Sequence, residues 1–474
     1  MALYQLNSHP EYSLLIVEDM EGVRESAAAR MITGTIRRLG QSIELTAWLT
    51  DLQSSTVIAT VTEVAPNDTA LPDLNSRLLA RLLGAKISPL PGKPSDWLDF
   101  GKAAASQDLA RLEAFVQSHA DFSPAYLALG RAYAQQGRRV ELANLLARYP
   151  PMGDPLSRAQ LKAIAATTDD ERLNAFAELV KLRPNDVAAL RQAGTLAEAS
   201  GNWPLAASFF RQLSTLEPGR GEPFNSLAYA EARQGHFPEA VAALHQYQKL
   251  SPDDPNVYDS FGEIHYMSRK FTEAANYFEQ GVQRYPMFQG GVGRRKAAFA
   301  YYHAGNLAKA DQLFGEWLKQ AIHPQFKEII AFEQAMWMIH TGRTTIARQS
   351  LEQIGTPAAA MYLAAITFGL EGKRPTPAQL RAWATTLVEP SQKNDAGIML
   401  LLLTPAPNEA ALIARINRAL PQPQLANIRA QLLATARQMF ETPAPQKPAI
   451  FPLPNNLDSV LDALVLRARL AVIR

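Results

Sequence analysis

The sequence predicts a mainly α-helical chain, an α-solenoid of stacked helical hairpins preceded by a small α/β domain with an antiparallel β-meander. Three observations predict it. Pro184, Pro218, Pro252 and Pro286 are spaced by 34 residues, and Pro150 lies the same distance upstream. Ala206, Ala240 and Ala274 keep that period, with Phe210, Leu244 and Phe278 four residues behind each. The first part of the chain follows another rule, with apolar and polar residues alternating one by one as in half-buried strands.

Residues 1–92 form the first unit read from the sequence. Tyr12–Glu18 is an apolar run of strand length, and Gly22–Met31 has helical composition. Ile32–Leu39, Ser42–Leu52 and Thr56–Val64 then read as three strands. Ile43, Leu45, Ala47 and Leu49 share one face of the middle strand, and Glu44, Thr46, Trp48 and Thr50 the other. Gly40 with Gln41 makes one turn, and Gln53–Ser55 the next. Asp73–Leu83 is an amphipathic helix, and the proline-rich Pro89–Ser95 is a stiff connector.

Ile32–Val64 resembles the second half of the TolB amino-terminal-like domain. Gly34, Ile36, Arg37, Arg38 and Gly40 match its strand and turn, and Leu45, Ala47, Leu49 and Asp51 match the strand that follows. The chain departs from the family at its start, where the family's opening strand and first helix should precede Tyr12. The resemblance implies a domain without catalysis and a sheet with one edge to cover. Open edges recruit partners. The edge is therefore expected to be covered by a homodimer contact, by Ala2–Leu6, or by packing on the solenoid.

Residues 93–374 form the solenoid. Trp97–Ala105 and Gln107–His119 read as an atypical capping hairpin. Ser123–Tyr149 is a clear hairpin with Tyr126, Leu129, Gly130, Tyr133 and Gly137 in register. Leu156–Leu182 is degenerate and keeps mainly Phe176, with Pro184 behind it. Val187–Pro218, Glu222–Pro252 and Asn256–Pro286 are the best repeats. The next is displaced by two residues, with Ala298, Tyr301, Gly305, Ala310 and Phe314, and Phe326–Ile354 and Ala358–Gly372 continue the series. Over residues 375–474 the period decays. Pro375, Pro377, Pro390, Pro405 and Pro407 are read as helix breakers, Glu441–Pro454 as a strap and Leu457–Val472 as a capping helix.

Period and residue types together resemble the tetratricopeptide repeat. The resemblance implies hairpins that bury their apolar faces only against their neighbours, and an extended concave surface that binds a protein or peptide. Asn256–Ala274 further resembles repeats in the C-terminal halves of acidobacterial-type serine/threonine kinases, through Tyr258, Asp259, Ser260, Gly262 and Glu263. The glycine-rich loop, the H-R-D and the D-F-G of a kinase are missing from the sequence.

Composition narrows the function classes. A formal net charge of +2 gives no general pull toward nucleic acid, and the densest basic run, Arg294, Arg295 and Lys296, is short. The longest apolar run, Ala358–Ile366, is too short for a membrane span. Met1–Asp19 lacks the pattern of a signal peptide. The chain as written is therefore expected in the cytoplasm, or in the periplasm if it is a fragment of a membrane-anchored protein. With no cysteine, thiolate metal sites and cysteine nucleophiles are excluded. The eight histidines show no H-E-x-x-H spacing. Gly290–Lys296 is similar to a phosphate loop but lacks the Lys-Ser/Thr pair, so it reads as a turn entering a basic helix. No catalytic residue, metal or cofactor is expected.

In each hairpin the first helix should line the concave side. That places Arg191, Asn225, Tyr229, Asp259, Glu263, Tyr266, Arg295 and Tyr302 on one candidate groove. Asp259 and Glu263 lie one helical turn apart and share a face. For Tyr229, Tyr266, Phe299 and Tyr302, binding surface and inter-repeat packing both remain open. The sign alternation through Arg191, Asn225, Asp259 and Arg295 differs from the Lys/Asn clamp that repeats of this kind use on a peptide carboxylate. The leading function is a non-enzymatic scaffold for a protein or peptide partner. The alternative is a regulatory fragment of a signalling enzyme, a kinase or cyclase, whose catalytic domain lies outside this chain.

Overall fold

A computed structural model of the chain describes residues 28–87, 90, 92–106, 108–321, 327–371, 373–387, 395–420, 429, 432, 433, 436 and 437. The chain divides into two compact units, Met1–Leu227 and Ala228–Arg474.

The first unit opens with the expected meander. Strands β1 (Arg30–Leu39), β2 (Ser42–Asp51) and β3 (Thr56–Ala65) form an antiparallel sheet in the order β1-β2-β3. Ile36 lies opposite Leu45, and Ile43 opposite Ala65. Helix α1 (Leu71–Leu83) lays Leu74, Leu78 and Leu82 onto Ile43, Ala47, Leu49, Val61 and Ala65. Apolar residues at helical spacing thus meet apolar residues at strand spacing, and their burial stabilises both elements. Two expectations change here. Arg30 and Met31, read as the end of a helix, belong to β1, because Asp51 and Thr50 pair with them across the ladder. Of the three covers expected for the sheet edge, packing on the solenoid is not seen among the described residues: β1 is exposed along nearly its whole length. Ala2–Leu6, Tyr12–Glu18, Glu441–Pro454 and Leu457–Val472 lie outside the described residues.

Hairpins follow. Helices α2 (Pro94–Ala105) and α3 (Leu109–Ser118) form the atypical first one. Its core is aromatic, with Trp97 4.9 Å and Phe115 5.5 Å from the Phe122 ring centre. The regular pairs are α4 (Ser123–Gln135) with α5 (Arg139–Ala147), α6 (Pro155–Ala165) with α7 (Asp169–Leu182), and α8 (Val187–Ala199) with α9 (Trp203–Leu216). Helix α10 (Gly221–Arg233) spans the division between the units.

The second unit continues with α11 (Phe237–Leu250), α12 (Pro255–Met267), α13 (Phe271–Arg284), α14 (Gly293–His303), α15 (Leu307–Ala321), α16 (Lys327–His340) and α17 (Thr344–Ile354). Helices α18 (Pro357–Glu371), α19 (Pro377–Thr386), α20 (Asp395–Leu403) and α21 (Glu409–Ala419) complete the described part. Pro377 starts α19 rather than breaking a helix. It occupies the first turn, where its missing N–H costs nothing, behind a capping box of Thr376 and Gln379.

The repeat residues do the work the period implies. Ala206, Ala240, Ala274, Ala310 and Ala347 are fully buried. At Gly262 an added Cβ would sit 2.4 Å from the Phe278 ring, so only glycine lets α12 approach α13 this closely. Gly201 and Gly235 end their first helices with φ of 73° and 82°. One period later the same left-handed position is held by Arg269, with φ 62°.

Candidate functional site

The candidate groove residues fall in two places. Arg191 and Asn225 lie in the first unit. Arg191, on α8, donates to Glu217 Oε2 at 2.6 Å and also pairs with Glu222. Glu217 is buried, and that burial pushes its carboxyl pKa up although Arg191 opposes the shift. Asn225 is half-buried on α10.

The other residues lie in the second unit, and three of them converge. Asp259 and Glu263 are one turn apart on α12 and face Lys296 of α14, which is 0% exposed. The Lys296 ammonium donates to Asp259 Oδ1 at 2.8 Å, to Asp259 Oδ2 at 2.7 Å and to Glu263 Oε1 at 2.9 Å. The Tyr229 hydroxyl on α10 donates to Glu263 Oε2 at 2.6 Å. Burial, then the negative charges of Glu263 and Asp259, push the Tyr229 pKa well above its usual range. Hydrogen bonds around Asp254 and Asn256 lock the start of α12. Asp254 accepts from Asn256 N–H at 2.9 Å and from the Tyr247 hydroxyl at 2.6 Å, and Asn256 Nδ2 donates to Ser260 Oγ at 3.3 Å.

Chemically this is an ionic tie between first helices. A buried lysine is tolerated only when its charge is met and its protons are bonded. Both carboxylates meet it, one from each turn of α12. The pair is therefore committed to structure, not poised as an acid and a base. Among the described residues no group of three or more His, Asp or Glu side chains is arranged to hold a metal ion, and no helix is long and apolar enough to cross a membrane.

The remaining candidates are packed differently. Tyr266 is in the hydrophobic core, 5.3 Å from the Phe271 ring and 5.7 Å from that of His303, so it is a packing residue and not a surface one. Phe299 is buried beside Trp337. Arg295 is buried too, its guanidinium 5.3 Å from the Phe299 ring centre and 5.5 Å from that of Trp317. Tyr302 is half-buried, next to His303 and Trp337.

Lys296 is the residue that sequence reasoning missed. It stood in view as the last of three basic residues, in a stretch that reads as a turn entering a basic helix. The turn before α14 carries Gln289 and Gly290 in the left-handed region and delays the helix. That delay turns Lys296, not Arg295, toward α12. The available signal was an interval: a lysine 33 residues after Glu263, close to one repeat period.

Comparison with known proteins agrees with the repeat reading. A tetratricopeptide-repeat family model matches residues 225–287. A TPR repeat-containing protein of Pseudomonas aeruginosa is 30% identical over 172 residues, which are 35% of this chain and 29% of that protein. The general transcriptional corepressor ssn6 of Schizosaccharomyces pombe is 25% identical over 136 residues, 27% of this chain and 12% of that protein. The chain thus spans less than a third of the length of these relatives. Among solved structures, MamA is 17% identical with a TM-score of 0.31, covering 42% of this chain and 91% of that one. The described fold is a mainly helical tetratricopeptide array preceded by a three-stranded antiparallel sheet.

Proposed function

We propose that the hairpin array is a non-catalytic scaffold that binds a protein or peptide segment along the first helices of its repeats. Tetratricopeptide repeats mediate protein–protein interactions, and the matched repeats at 225–287 include Tyr229 of α10 and α12 with its Asp259 and Glu263, while α14 with Lys296 follows the matched span. The single observation behind the reading is the Lys296 tie. It ties α12 to α14 through side chains, which preorganises the half-buried residues at their ends, among them Asn256 and Tyr302, for a ligand.

In this reading Asp259, Glu263 and Lys296 set spacing and local charge, while Tyr302 and the exposed neighbours on the first helices make contact. Arg191 and Asn225 serve the same role in the first unit. The TolB-like reading of the small domain, with its link to signalling enzymes, rests on the quoted motif residues and on the β1-β2-β3 meander.

A photo-crosslinking amino acid tests the proposal. Placed at Tyr302 on α14, it should capture a partner in the source cell, and placed at the exposed Gln280 on the second helix α13 it should not. Capture from position 280 alone would overturn the assignment to the first helices.

A further inference from the structure

The three-stranded sheet offers a second surface, unrelated to the repeats. Across the ladder, Arg30, Ile32, Gly34, Ile36 and Arg38 of β1 lie opposite Asp51, Leu49, Ala47, Leu45 and Ile43 of β2. Directly opposed residues share a face, so these five stand on the side of the sheet that α1 covers. Helix α1 buries the β2 and β3 residues of that side but stops short of β1. Ile32 remains 41% and Ile36 64% exposed. The margin therefore reads Arg, Ile, Gly, Ile, Arg along one line, two apolar positions bracketed by two cations. The outer edge of β1 has no neighbouring strand among the described residues.

We propose that β1 is a docking edge for an acidic extended segment of another protein, which adds as a fourth strand. Main-chain hydrogen bonds would supply affinity, and alternate side chains would supply selectivity. Apolar residues of the incoming strand lie against Ile32 and Ile36, and a carboxylate at each end meets Arg30 and Arg38. Arg37 adds to the field from the opposite face. Arg37 and Arg38 already have carboxylates near them, Glu44 at 3.7 Å and Asp68 at 2.9 Å. Their side chains are nonetheless 70% and 61% exposed, and exposed pairs hold so weakly that an incoming carboxylate can compete. A second copy of this chain fits the edge less well. Pairing β1 with itself brings three arginines and no carboxylate from each strand, and like charges oppose the ladder.

The test uses the full chain and a labelled peptide of alternating valine and threonine with glutamate at each end. A lysine-ended version is the control. Fluorescence anisotropy should show binding of the acidic peptide that weakens with added salt, and little binding of the basic one. Arg30→Glu with Arg38→Glu should weaken the acidic peptide about ten-fold or more and gain the basic one. Arg30→Lys with Arg38→Lys should keep the original preference, and circular dichroism checks that each variant folds. An acidic peptide with N-methylated backbone amides should not bind. Equal binding of both peptides, no binding of either, or a β1-paired dimer that the acidic peptide fails to dissociate would each overturn the proposal.

Discussion

Lys296 is the residue on which the second unit turns. Its three protons meet three carboxylate oxygens in a place closed to water. Removing it leaves two carboxylates buried without a cation, so Lys296→Ala should cost about 3–5 kcal/mol in urea denaturation. Combining Lys296→Met with Asp259→Asn and Glu263→Gln should recover much of that loss, since the uncompensated charges are then gone. A Lys296→Ala protein of unchanged stability would mean the tie is not made. Arg269 makes the opposite case. It holds a left-handed conformation that glycine fills at Gly201 and Gly235, so Arg269→Gly should raise stability by about 1 kcal/mol. At this scale the sequence was legible for packing and poor for charge. Ala240, Ala274 and Phe278 could be placed because shape repeats every 34 residues. Lys296 could not, because its partners lie a displaced repeat away and pairing depends on where a helix begins. Tyr266 and Arg295 were assigned to a groove for the same reason: the first-helix face alone does not separate an open side chain from one covered by the next hairpin.

The helical hairpin is the next scale, and here the sequence reading went furthest. Proline closes the second helix, a small residue sits at the helix–helix contact, and a left-handed residue ends the first helix. Ala274 is fully buried, and Gly262 has the Phe278 ring against it. Ala274→Leu and Gly262→Ala should each overpack their hairpin and cost about 1–3 kcal/mol, read as a lower midpoint of thermal denaturation. An unchanged midpoint would mean that the register of helices is misassigned. Failures at this scale have local causes. Met31 was read with the helix-forming alanines before it, but strand pairing with Thr50 overrides that preference. Pro377 was read as a breaker because proline usually ends helices. The capping box of Thr376 and Gln379 instead makes it a start.

Taken as a whole molecule, the chain buries ionisable groups in the second unit that make its stability pH-dependent. His303, half-buried among Tyr266, Phe271 and Tyr302, has its pKa lowered by burial to about 4. His265 is lowered as well, again chiefly by burial. A histidine whose folded pKa lies below its unfolded value binds protons more readily when unfolded. Stability therefore rises with pH through the window and is lost as pH falls from about 6.5 toward about 4, by at most about 3 kcal/mol for His303. His303→Phe should flatten that part of the curve of denaturation midpoint against pH. An identical slope in the variant would remove His303 as its source.

In the proposed scaffold the first helices of the repeats carry the partner. Hydrogen–deuterium exchange, followed by mass spectrometry with and without the crosslink-identified partner, tests it most directly. Slowed exchange is expected on α12 and α14, with α13 and α15 unchanged. Slowed exchange confined to α13 and α15 would contradict it.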